Sequence, residues 1–157
     1  MRIGQGYDTH PFQDGRPLVL GGVSFAGETG LAGHSDGDTV SHAVIDAILG
    51  AAALGDIGSH FPSTERRWRG ADSIELLKQV TKIVSAAGCR IINVDVTVLA
   101  ERPQIAPRVQ EMRARLAGAL GIDLGQISVK ATTTDGLGAI GRGEGIAAQA
   151  VALLEER

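Results

Sequence analysis

Apolar residues at Val40, Val44, Ile45, Ile48 and Leu49, with alanines between them, recur at three- and four-residue spacing, which predicts a buried helix over residues 39 to about 54. The same spacing at Ile74, Leu77, Val80, Ile83 and Val84 predicts a second helix, capped by Asp72-Ser73 and running to about residue 87, with Gly88 as its stop. A third spans about 105–120, opened by Pro103 and Pro107, closed at Gly121, and carrying Arg108, Arg113 and Arg115 outward. Elsewhere alternation takes over. Residues 90–100 and 127–132 read as strands, 18–25 as a strand or hairpin, and 1–7 as a short strand that Pro11 ends before a turn at 13–17. Residues 146–154 are open to helix or strand, and the alternation of Val151 and Leu153 favours strand. Between these elements lie a Gly-rich loop at 26–38 and a polar, breaker-rich loop at 55–70, the segment most expected to move.

This order of elements, ββαα-βα-ββ, implies an α/β (α+β) two-layer sandwich: a mixed sheet of four to five strands with helices on one face. The sheet's other face then needs cover, and a partner subunit is the natural supplier. Length supports one domain over 1–157. With 43% hydrophobic and 21% charged residues the chain has a globular composition. Aromatics are only 3%, so the core is built from Ala, Val, Ile and Leu, which favours completing burial in an oligomer. A net charge of -3 argues against a nucleic-acid binder. No leader-like start and no apolar run near the roughly 18 residues of a membrane helix point to the cytoplasm. The lone Cys89 excludes an internal disulfide and a CxxC zinc site, and reads as a reduced core thiol.

Candidate chemistry gathers in the loops. Asp8 and His10 are two apart in extended chain, so they share a face. His42 stands about one turn inside the first helix, and the three together would form a catalytic zinc site with one open position. Asp46, four residues after His42, is placed to hold that imidazole from behind. His34, beside Ser35, suits a phosphate, whereas His60 reads as surface. Asp36, Asp38 and Asp56 serve either as caps and turn formers or as carboxylates that recognise hydroxyls. Thr132-Thr133-Thr134-Asp135 offers hydroxyls, amides and a carboxylate, a set suited to phosphate oxygens with Mg2+. Gly136-Leu137-Gly138-Ala139-Ile140-Gly141 matches the G-x-G-x-x-G spacing, but the chain lacks the helix, strand and acidic residue that a dinucleotide fold needs after it.

Taken together, Asp8-x-His10, Gly33-His-Ser-Asp-Gly-Asp38, Gly55-Asp-Ile-Gly58, Lys130-Ala-Thr-Thr-Thr134 and Gly141-Arg-Gly-Glu-Gly145 resemble the 2-C-methyl-D-erythritol 2,4-cyclodiphosphate synthase family over nearly the whole chain. The resemblance implies a homotrimer with active sites between subunits, converting 4-diphosphocytidyl-2-C-methyl-D-erythritol 2-phosphate to the cyclic diphosphate and CMP. It implies Zn2+ on Asp8, His10 and His42, Mg2+ or Mn2+ on the substrate diphosphate near Asp135, and transition-state stabilisation by His34 and Thr133. Implied substrate contacts near the metal are Asp8, His10, His34, Ser35 and Asp38. Asp56, Ile57, Gly58, Phe61, Ser63 and Glu65 would meet the methylerythritol. Ala100, Pro103, Gln104, Ile105, Ala106, Ala131, Thr132, Thr133, Thr134 and Asp135, with Ala139 and Arg142, would hold the nucleotide and its phosphates. The chain departs from the family at Asp135 (usually Glu), Ser63-Thr64-Glu65 (commonly Asp-Thr-Asp) and Gln104 (commonly Lys). Two other readings are a zinc hydrolase with Asp38 or Asp56 as base, and a trimeric binder of nucleotide or isoprenoid diphosphate without turnover.

Overall fold

The computed structural model describes all 157 residues. The first strand is much longer than its sequence suggests: β1 runs Arg2–Leu20, straight through Pro11. Its first half, Arg2 to Pro11, pairs antiparallel with the C-terminal strand β5 (Gly145–Glu156). Phe12 to Leu20 pairs instead with β2 (Val23–Leu31). Pro11 sits at this change of partner, where a strand tolerates proline better than in a continuous ladder. The expected turn at 13–17 is a bulge within β1, with register shifts on both sides of Pro17 and Gly15 at φ +79°.

The hairpin expected around residues 18–25 is present. Gly21 and Gly22, at φ +56° and +73°, form its two-residue turn, and Leu20 pairs with Val23 across it. Because β2 continues to Leu31, most of the expected Gly-rich loop is strand, and only residues 32–38 remain irregular.

Helix α1 (Thr39–Ala52) follows, and the one-turn α2 (Ile57–His60) starts on an Asp56 cap. The breaker-rich loop is anchored. Its 3-10 turn Arg66–Trp68 brings the Trp68 ring 4.9 Å from that of Phe61, edge to face. Helix α3 (Ser73–Ala86) begins on the Asp72 cap as expected, and β3 covers Cys89–Leu99, with the Cys89 thiol buried. The helix expected at 105–120 opens with a 3-10 turn, Ala106–Arg108, before α4 (Val109–Leu120) ends at Gly121. After β4 (Ile127–Thr132) the Gly-rich run forms the single turn α5 (Gly138–Gly141) and leads directly into β5, which rules out a dinucleotide fold.

The five strands lie in the order β2-β1-β5-β3-β4, antiparallel except for β3 beside β4. Helix α1 packs on β1 and β5, α3 beside it, and α4 against α3 and β4, which gives the expected two layers. Small residues set the spacing between them. A Cβ on Gly4 would lie 2.1 Å from the Ala47 carbonyl oxygen, and one on Gly6 2.0 Å from that of Ala43. The α1 backbone therefore rests directly on β1. On the opposite face, Ile3, Tyr7 and Val151 are exposed at 73%, 57% and 37%, and nothing in the chain covers them.

Candidate functional site

Alternation along β1 turns Gly4, Gly6, Asp8 and His10 to the same face. Since Gly4 and Gly6 lie against α1, the next two residues on that face meet the first turn of the helix, where His42 stands. Asp8 Oδ2 is 2.8 Å from His10 Nε2 and 3.0 Å from His42 Nδ1, and the two nitrogens are 3.3 Å apart. Ligands about 2.1 Å from a tetrahedral zinc are about 3.4 Å from one another. The three atoms come close to that spacing, two imidazoles and a carboxylate are a zinc donor set, and the cluster fits a metal ion.

Burial alone would raise the Asp8 carboxyl, but hydrogen bonds and charge from His10 and His42 outweigh it and hold the pKa at about 2. Burial likewise works against a charged His42, while the Asp8 hydrogen bond and the charges of Asp8, Asp38 and Asp36 raise its pKa. Each partner thus favours the charged form of the other, an arrangement that a bound cation would replace by taking the carboxylate and both ring nitrogens.

Behind the triad the structure corrects two expectations. Asp46 does not hold His42; its Oδ1 accepts from the Ile57 amide at 2.7 Å and ties α2 to α1. The far nitrogen of His42, Nε2, faces the Ser35 and Ser73 hydroxyls at 3.0 and 2.9 Å. Ser35 thus supports His42 and also lines the cavity in front of the triad. Asp38 is fully buried, and its two oxygens accept from the Gly21, Gly22 and Ser41 amides and the Ser41 hydroxyl at 2.8–3.0 Å. It caps α1 and locks the hairpin, with no oxygen free for a substrate or for a hydrolytic base. Sequence reasoning missed Ser73, because its place as the first residue of α3 signals only a helix start.

In front of the triad a cavity of about 230 Å³ is lined by His34, Ser35, Ile57, Gly58, Phe61, Ser63, Trp68 and Leu76 as well as the three ligands. Glu65 is outside it, its carboxylate paired with Arg67, although its backbone carbonyl receives His34 Nε2 at 3.3 Å. Asp56 is exposed, and its Oδ1 is engaged by the Ser59 amide and hydroxyl, which lower its pKa. His60 is half-buried and turns Nε2 to the Leu54 carbonyl.

Most of the predicted nucleotide residues meet in a second cavity of about 490 Å³, lined by Ala100, Glu101, Pro103 to Pro107 and Ala131 to Thr133, with Thr134, Asp135, Ala139 and Arg142 outside it. Asp8 pairs with Ala148, Ala148 with Val98, and Val98 with Ala131, so three strand spacings separate the triad from this cavity. At about 4.8 Å each that is about 14 Å. Glu101, which sequence reasoning did not single out, accepts from the Thr134 amide and holds the 133–136 loop. Asp135 takes φ +52° there, and its carboxylate receives the Thr133 hydroxyl at 3.3 Å. It is not part of the ligand cluster. Ala139 lines a small groove with His10, and Arg142 is paired with Glu144.

Comparison with known proteins bears on both cavities. The sequence profile of the YgbB family matches residues 1–155. The chain is 57% identical over 157 residues to the 2-C-methyl-D-erythritol 2,4-cyclodiphosphate synthase of Moorella thermoacetica, covering all of the chain and 96% of that protein. It is 62% identical over 152 residues to the bifunctional enzyme IspD/IspF of an Anaeromyxobacter species, covering 97% of the chain but only 39% of that relative's length. A solved structure of 2C-methyl-D-erythritol-2,4-cyclodiphosphate synthase with CDP superposes with a TM-score of 0.89 at 36% identity, over 98% of this chain and all of that one.

Proposed function

Because the chain belongs to the YgbB family, we propose that it converts 4-diphosphocytidyl-2-C-methyl-D-erythritol 2-phosphate to the 2,4-cyclodiphosphate with release of CMP. The observation that carries this reading is the Asp8-His10-His42 triad opening into a cavity lined by His34. In the reaction an oxygen of the 2-phosphate attacks the β-phosphorus of the diphosphate. The bond from that phosphorus to the bridging oxygen breaks, and the oxygen leaves with its electron pair as part of CMP. No water is consumed, so the product closes on itself.

Positioning supplies much of the rate in such a transfer. Asp8, His10 and His42 would hold Zn2+, which when bound supplies positive charge to orient and polarise the terminal phosphate. His34 Nε2, turned toward the loop carbonyl of Glu65 in the free protein, is free to exchange that partner for a phosphate oxygen. Ile57, Gly58, Phe61 and Ser63 enclose the methylerythritol. The backbone at Ala100, Pro103, Ile105 and Ala106 takes the cytidine, and Thr132, Thr133 and Thr134 the diphosphate, with Thr133 donating to the charge that develops at phosphorus. Asp135 would hold a Mg2+ or Mn2+ ion, which would supply positive charge to the diphosphate. Its arm is one methylene shorter than the family's usual Glu.

One chain presents the two cavities apart, and the uncovered face with Ile3, Tyr7 and Val151 supplies a surface on which copies can pack. We infer a homotrimer in which the triad of one subunit faces the nucleotide cavity of its neighbour. No helix is long and apolar enough to cross a membrane, and the substrate and product are small and water-soluble, which supports a cytoplasmic place of action. A hydrolase would need a base at the open metal position, and buried Asp38 cannot serve. Phosphorus NMR of the protein with the cytidyl substrate and Mg2+ tests the proposal: a cyclic diphosphate with CMP supports it, and a linear phosphate or an unchanged substrate refutes it.

A further inference from the structure

We infer that Asp36, acting through the Ser73 hydroxyl, is a positioning residue that keeps His42 in the tautomer offering Nδ1 to the metal. The inference rests on the reading of Asp8, His10 and His42 as a metal centre. It starts from the two sides of the His42 ring. Nδ1 points at Asp8 Oδ2 and His10 Nε2, and Nε2 points at the Ser73 and Ser35 hydroxyls. A neutral imidazole has one N–H, and only the nitrogen without it can bind a metal.

The Ser73 hydroxyl decides which nitrogen carries the proton. Its oxygen lies 2.5 Å from Asp36 Oδ1, and a carboxylate only accepts, so the Ser73 proton is committed to Asp36. Toward His42 the same oxygen can then offer only a lone pair, at 2.9 Å, and Nε2 must be the donor. Nε2 therefore keeps its proton, and a metal that takes the place of the proton Nδ1 shares with Asp8 meets the Nδ1 lone pair.

Asp36 is itself fixed. Its Oδ2 accepts from the Ser73 amide at 2.9 Å, and its Oδ1 also accepts from the Asp38 amide at 3.1 Å. It stands at the N-terminus of the 14-residue α3, where the helix dipole favours a carboxylate. Ser73 is 0% exposed, so water does not compete for the hydroxyl. Ser35 does not set the direction, because its only other partner is the Gly37 amide at 3.5 Å and its proton can turn either way. The relay Asp36–Ser73–His42 thus joins the N-terminus of α3 to the metal face of α1.

The test uses the full-length protein and zinc alone, without substrate. Long-range proton–nitrogen correlation spectra of the zinc-loaded, histidine-labelled wild type are expected to show His42 protonated at Nε2 and metal-bound at Nδ1. Chelator competition is expected to show zinc binding weakened about 10–100-fold by Ser73→Ala, largely restored in Ser73→Thr, and less affected by Ser35→Ala. Zinc bound through Nε2 of His42, or wild-type affinity in a folded Ser73→Ala, would overturn the relay while leaving the metal centre in place. If Ser73→Ala does not fold, the wild-type spectrum decides. A wild type that binds no zinc would overturn the metal centre itself and the relay with it.

Discussion

His42 Nδ1 lies 3.0 Å from Asp8 Oδ2, a contact that joins the first turn of α1 to the middle of β1 across 34 positions of chain. Two glycines make it possible, because the helix can approach β1 this closely only where Gly4 and Gly6 precede Asp8 on the same face. His42→Ala removes one of three ligands, and the purified variant is expected to retain little zinc by metal analysis. Full zinc content in His42→Ala would refute the triad as the metal centre.

The glycine contact has its own consequence. Gly6→Ala would put a methyl 2.0 Å from the Ala43 carbonyl oxygen and 2.7 Å from the Ala47 amide nitrogen, both backbone atoms that cannot swing aside. It is expected to cost about 3 kcal/mol in urea unfolding. Gly118→Ala is the control. Gly118 is an exposed residue of α4, an added methyl there would meet nothing within 4 Å, and the substitution is expected to gain about 0.5–1 kcal/mol.

Asp8 also ties stability to pH in the metal-free protein. Its pKa falls from 3.8 to about 2 on folding, so its ionised form stabilises the fold fully above about pH 4, and that gain is lost as pH falls through about 2. That fall in pKa corresponds to roughly 2 kcal/mol. Urea midpoints of chelator-treated wild type and Asp8→Asn are expected to converge between pH 4 and pH 2. A difference that stays constant over that range would show that the ion pair with His10 and His42 does not form.

Asp38 tests the division of labour within the loop. Asp38→Ala leaves the buried Gly21 and Ser41 amides without partners and uncaps α1, for an expected loss of about 3 kcal/mol. At temperatures where the variant is folded, its zinc content is expected to match wild type. Selective loss of turnover with unchanged unfolding would give Asp38 the substrate contact that its burial denies it.

Much of the scaffold was legible in the sequence because local chemistry marks it. Asp38, Asp72 and Gly121 bound their helices as capping rules require, and the alternation of Val151 and Leu153 marked β5 as a strand. Asp8, His10 and His42 were legible as ligands because a strand's two-residue repeat and a helix's first turn both fix direction. What escaped depends on contacts distant in sequence. Pro11 reads locally as a stop, and only the change of partner from β5 to β2 lets β1 pass through it. Asp46 has the right helical spacing for His42, yet Ile57 takes its carboxylate, and the real support comes from Ser73, 31 residues away from His42.

The central claim is that one reaction is shared between the triad of one subunit and the nucleotide cavity of the next, and crossed complementation tests it most directly. His42→Ala disables the first cavity, and Ala106→Trp fills the second. Each variant alone is expected to give no CMP and no cyclic diphosphate by phosphorus NMR. Refolded together in equal amounts they are expected to recover about a quarter of the wild-type rate, since a random trimer places two intact halves at that share of its interfaces. A mixture that stays silent while wild type makes the cyclic product would place both halves of the site in one chain and contradict the account.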